Sequence, residues 1–144
     1  MKRLQFGSII LLLGILMFSA GCKEDNEEFI PYEYVNFSIN PASIEYGNLE
    51  VPGSWAYVTG GYRGILIYHL SQYEYVAFDR ACTFDWEKDC AQTEVDEDNI
   101  FLVCSCCDSK FLITDGSPFE GPAPRSLRQY STYFDGTYLY VSNQ

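Results

Sequence analysis

Short β-rich runs recur along this chain, and several are closed by Gly, Pro, Asn or Asp. They are Val35–Ile39, Trp55–Thr59, Ile65–Leu70, Tyr75–Asp79, Ile100–Val103, Lys110–Thr114, Tyr130–Phe134 and Tyr138–Val141. No apolar 3.6-residue period is long enough for a substantial helix. Many short strands with frequent turns predict an all-β domain, built as a small antiparallel sandwich or barrel. Asp135-Gly136 between the last two runs is a hairpin signal, because the turn favours a positive φ there. Tyr138 and Tyr140 alternate with Leu139 and Val141, as a half-buried strand would. Gly60-Gly61-Tyr62-Arg63-Gly64 lacks the Gly-Lys-Ser/Thr end of a phosphate loop and reads as a hairpin turn.

The N-terminus carries an address. Met1-Lys2-Arg3 is followed by an apolar stretch from Phe6 to Ala20, too short for the roughly 20 residues that span a bilayer. It ends in Ser19-Ala20-Gly21-Cys22, which resembles a bacterial lipoprotein signal. The expectation is removal of residues 1–21 and lipidation of Cys22, with the membrane as a partner through the anchor. Lys23-Glu24-Asp25-Asn26-Glu27-Glu28 has no apolar periodicity, so residues 22–33 are expected to be a flexible acidic tether. Acidic residues directly after the lipidated Cys also resemble the surface-export tag of some Gram-negative lipoproteins. The location implied is the Gram-negative outer membrane, facing the periplasm or the cell surface. The domain itself is expected over 34–144.

A chain of 144 residues suits one domain. Its net charge of −11 argues against nucleic acid, since little here could neutralise a row of phosphates. The one histidine, His69, rules out any site that needs two imidazoles.

With Cys22 assigned to lipid, five cysteines remain: Cys82, Cys90, Cys104, Cys106 and Cys107. Export to an oxidising compartment makes disulfides the first expectation. Five thiols cannot all pair, and spacing does not choose among the connectivities. Cys104 and Cys107 form a C-x-x-C, a spacing suited to Zn²⁺ or Fe and to thiol–disulfide exchange. Cys82 and Cys90 are too far apart to make a second one.

Three segments together carry a resemblance. They are Ala81-Cys82-Thr83-Phe84, then Cys104-Ser105-Cys106-Cys107-Asp108-Ser109-Lys110-Phe111, then Gly121-Pro122-Ala123-Pro124-Arg125-Ser126-Leu127. In order and in the spacing after the second loop they resemble the Rieske [2Fe–2S] family, over about Trp55 to Val141; the first loop is longer than the family's, with 19 residues between Phe84 and Cys104. The resemblance implies a Rieske-like β fold with a small cysteine-containing lobe formed by two loops, and the Gly116–Pro124 segment packed over it. It assigns the two Cys-ligand positions to Cys82 and Cys104. The two His-ligand positions fall on Phe84, which has no donor atom, and on Cys107. Asp108 stands where the family has Gly, a change Asp tolerates in the left-handed region better than most residues. Cys90 and Cys106 resemble the extra pair that bridges the two loops in some family members.

Three fates of the lobe follow. In the first it has no cofactor and is stapled by disulfides, Cys90 with Cys106 and Cys82 with Cys104 or Cys107. In the second Cys82, Cys90, Cys104 and Cys107 hold a [2Fe–2S] cluster by sulfur alone, at a potential below the Rieske range. In the third the same four thiolates hold one Zn or Fe. Lys2-Arg3 is not a twin-arginine motif, which favours export of an unfolded chain and the first fate. The leading expectation is a non-enzymatic structural or binding module with an envelope protein as partner. An iron–sulfur electron carrier comes second, and a thiol–disulfide exchanger or zinc-holding domain third.

Other candidates are weaker. A Ser-His-Asp triad would rest on His69 alone, inside a predicted strand. Asp85, Glu87, Asp89, Glu94, Asp96, Glu97 and Asp98 form no calcium loop and read as a solvated acidic stretch. The twelve tyrosines suit the strands of a small β domain as well as a binding face.

Overall fold

The computed structural model describes residues 30–143. The signal segment, Cys22 and residues 23–29 of the tether lie outside the described residues. Among the described residues there are ten strands: β1 (Asn36–Ile39), β2 (Trp55–Val58), β3 (Ile65–Ser71), β4 (Glu74–Asp79), β5 (Thr93–Val95), β6 (Phe101–Cys104), β7 (Lys110–Leu112), β8 (Pro118–Glu120), β9 (Gln129–Phe134) and β10 (Leu139–Ser142). A 3₁₀ turn covers Gly47–Glu50. The fold is all-β and antiparallel, as expected. All eight predicted runs contain a strand. The sequence reading missed β5 and β8, each only three residues long.

Six strands form one sheet in the order β1-β10-β9-β4-β3-β2. The other four form a separate small sheet, β5-β6-β7-β8. The chain leaves the large sheet after β4, builds the small one, and returns as β9 beside β4. That excursion is the lobe.

The central strands are buried on both faces, which explains the unbroken apolar run Ile65-Leu66-Ile67. Ile65 and Ile67 join Leu49, Tyr75, Ala77, Tyr130, Leu139 and Val141 in one core. Leu66, one residue out of phase, joins Val76, Phe78, Leu102, Phe111, Ile113 and Leu127 in the other. The second core glues the lobe to the sheet, and it includes Cys82 and Cys104. Burial of this kind contributes roughly 25 cal/mol per Å² of apolar surface. Leu139 and Val141 are buried while Tyr138 and Tyr140 stay exposed, the alternation expected for β10.

Polar contacts set the loops. In the β2–β3 hairpin Gly61 has φ +63°, and a Cβ there would lie 2.4 Å from the Asp79 carboxylate. Asp79 is buried and accepts hydrogen bonds from the Tyr62 and Arg63 amides at 2.6 and 3.2 Å. After β9, Asp135 accepts from the Thr137 and Tyr138 amides, and Gly136 takes φ +96°. Residues 30–33 fall in the expected tether, yet they are tied to the domain. The Arg128 guanidinium donates to the carbonyls of Ile30 and Pro31, and Asn143 Nδ2 donates to that of Glu33.

Candidate cysteine site

Two loops and one return segment meet at the lobe. The first loop follows β4 through Cys82 to Cys90. Its backbone is pinned by the Cys82 amide donating to Ala91 O at 3.0 Å and by the Ala81–Gln92 bridge. The Arg63 guanidinium reaches across from the β2–β3 hairpin and donates to the carbonyls of Trp86, Lys88 and Asp89. The second loop turns tightly between β6 and β7. The Cys104 amide donates to Ser109 O and the Asp108 amide to Cys104 O, with Asp108 at φ +56°. A left-handed residue is what lets the chain reverse there, and Asp fills that role.

The return segment closes over the second loop. Ala123 N donates to Ser109 Oγ at 3.1 Å, and Thr83 Oγ1 donates to Arg125 O at 2.7 Å. A Cβ on Gly121 would come within 2.6 Å of Ser109 Cα, so that position takes glycine. The Gly-Pro-Ala-Pro-Arg segment thus contacts both cysteine loops.

Cys90 and Cys106 form a disulfide across the two loops, the pairing implied by the resemblance. The other pairing, of Cys82 with Cys104 or Cys107, is not made. All three are free thiols. Their sulfurs lie within 4.8 Å of one another, and those of Cys82 and Cys107 are 3.7 Å apart. A disulfide needs about 2.05 Å. The four-thiolate set with Cys90 also fails, because the Cys90 sulfur is bonded to Cys106. Among the described residues no other group of His, Cys, Asp or Glu side chains converges closely enough to share an ion.

Cys82 and Cys104 are fully buried, and Cys107 is half-buried. Burial pushes the thiols of Cys82 and Cys104 above the ordinary range. Burial also opposes ionisation of Cys107, but the Ser109 hydroxyl at 3.1 Å and the Ser109 amide outweigh it and draw that thiol lower. Backbone amides near the other sulfurs, that of Phe84 for Cys82 and those of Cys106 and Cys107 for Cys104, pull the same way but do not offset burial. Phe84 itself packs against the core that holds Cys82 and Cys104.

These residues do not fit a Rieske centre, which needs two imidazoles on one iron. The Phe84 ring offers no lone pair. His69 lies on β3 with Ile65 and Ile67, on the face turned away from the lobe, stacked on Tyr75 at 4.2 Å between ring centroids. It is a buried core histidine with no hydrogen-bond partner on either ring nitrogen. A sulfur-only binuclear cluster lacks its fourth thiolate, since three sulfurs are present and the fourth is oxidised. The acidic stretch is largely solvent-facing. Asp85 pairs with Lys88, and Asp96 caps the amides of Ile100 and Phe101.

No family model matches the chain. No curated protein sequence matches it either. Twelve chains of solved structures are similar to it, among them two ferredoxin structures. One is the ferredoxin of carbazole 1,9a-dioxygenase from Nocardioides aromaticivorans IC177, at 16% identity and a TM-score of 0.46, covering 65% of this chain and 88% of that one. The other is the complex of reduced oxygenase and oxidized ferredoxin in carbazole 1,9a-dioxygenase, at 18% identity and a TM-score of 0.48, covering 65% of this chain and 83% of that one.

Proposed function

We propose that this chain is a non-enzymatic, Rieske-like module of an envelope lipoprotein, anchored through Cys22, that keeps the cysteine lobe without the His₂Cys₂ cluster. The observation that carries this reading is Phe84, a side chain with no donor atom that packs against the core holding Cys82 and Cys104, at a position where the resemblance calls for a ligand. The Cys90–Cys106 bridge is compatible with it, because it links the two loops covalently whether or not a cluster is present. The role we assign is structural or binding, with another envelope protein as partner; His69, the one imidazole, sits in the core on the face away from the cysteines.

The test is to purify the full-length chain from membranes under anaerobic conditions and measure iron and acid-labile sulfide. The expected result is neither. Alkylation mapped by residue should find Cys82, Cys104 and Cys107 reduced and Cys90 and Cys106 oxidised. Two irons and two sulfides per chain would overturn the reading in favour of a sulfur-ligated electron carrier. Cys22→Ser should shift the chain out of the membrane fraction, and retention there would remove the lipoprotein part.

A further inference from the structure

We propose that Cys82, Cys104 and Cys107 together bind one Cu(I) ion as a three-coordinate thiolate site. The inference rests on the cluster-free reading above and goes beyond it. Three observations lead to it.

The first is spacing. Sulfurs around a single ion at about 2.3 Å stand about 4 Å from one another. The three thiols already lie within 4.8 Å, with one pair at 3.7 Å, so an ion could enter with little rearrangement.

The second is the ring of donors. Cys82 faces one amide, Cys104 two, and Cys107 an amide and a hydroxyl. Hydrogen bonds to sulfur favour the thiolate, the form that binds metal. Outer partners of this sort orient and tune ligands at metal sites. At Cys82 and Cys104 these donors oppose, without outweighing, the burial that keeps the thiols protonated, a penalty that a bound cation relieves.

The third is coordination number. Structural Zn²⁺ takes four protein ligands, and the fourth protein sulfur here is locked in the Cys90–Cys106 bridge. Phe84 adds apolar bulk beside the site and no ligand. Three thiolates would leave Zn²⁺ a fourth position to be filled by water, whereas they suit the soft Cu(I) ion by themselves. Binding replaces three thiol protons with the ion and releases them to solvent. Cys107, the only half-exposed sulfur of the three, is the point of entry.

The test uses the full-length chain in detergent micelles, kept under argon and titrated with Cu(I) against a chromophoric chelator. One ion per chain should bind, with a near-ultraviolet thiolate-to-copper absorption and a first shell of three sulfurs by X-ray absorption. Loading should protect Cys107 from alkylation in the unmutated chain, a readout that needs no variant to fold. Cys107→Ser should weaken binding by about 100-fold, and Ser109→Ala by about 10-fold. Unchanged alkylation of Cys107, or a Zn²⁺ ion in a four-ligand shell that Cu(I) does not displace, would overturn the copper assignment. Absence of both iron and Cu(I) binding would sink this inference alone. Two irons with two sulfides would sink the cluster-free reading as well.

Discussion

The hydroxyl of Tyr130, on β9, donates a 2.7 Å hydrogen bond to the carboxylate of Asp79, at the end of β4, and both residues are buried. The same carboxylate accepts from the amides of Tyr62, Arg63 and Ala81. One side chain therefore ties the β2–β3 hairpin, the start of the first cysteine loop and β9 together. Removing it leaves several buried donors without an acceptor. Asp79→Ala should cost about 3 kcal/mol or more by urea unfolding, while Tyr130→Phe, which deletes a single bond, should cost about 1 kcal/mol. Equal losses for the two variants would show that the carboxylate is not the shared anchor.

The same pair predicts a pH effect. Burial, reinforced by the neighbouring Asp79 carboxylate, raises the Tyr130 phenol above its ordinary value near 10. The folded chain then keeps a proton that the unfolded chain loses. The stability this contributes is complete below about pH 10 and declines as pH rises beyond it. Chemical unfolding at pH 9 and at pH 11 should show the decline, and Tyr130→Phe should make it shallower. An identical slope in the variant would remove Tyr130 from the account.

The Cys90–Cys106 bridge closes a separation of 16 residues. Cys90→Ser and Cys106→Ser should each lower stability by about 3 kcal/mol, and the double variant should lose no more than either single one. Full additivity in a double-mutant cycle would mean the two sulfurs act separately.

Ser109 is buried between the second loop and the return segment, with its hydroxyl near Cys107 and accepting from the Ala123 amide. Ser109→Ala should raise the Cys107 pKa. The alkylation rate of Cys107 against pH should move to higher pH, while Cys82 and Cys104 stay unreactive in the native protein. A profile that does not move would assign the lowered value to the backbone amide alone.

The sequence by itself determined the strand content, because period-two alternation and turn residues act within a few positions. Leu139 and Val141 against Tyr138 and Tyr140, and the Asp135-Gly136 turn, are local statements that the structure repeats. The family resemblance also implied the pairing of Cys90 with Cys106, which the structure makes. Tertiary structure alone decided the rest. Thr93–Val95 and Pro118–Glu120 are too short to announce themselves, and become strands by pairing with β6 and β7. The fate of Cys82, Cys104 and Cys107 depended on distance in space: the disulfide removes Cys90 from their company, and burial with facing amides leaves three sulfurs together. Asp79 gave no motif at all, because its four partners lie at residues 62, 63, 81 and 130 and meet only when β9 returns beside β4.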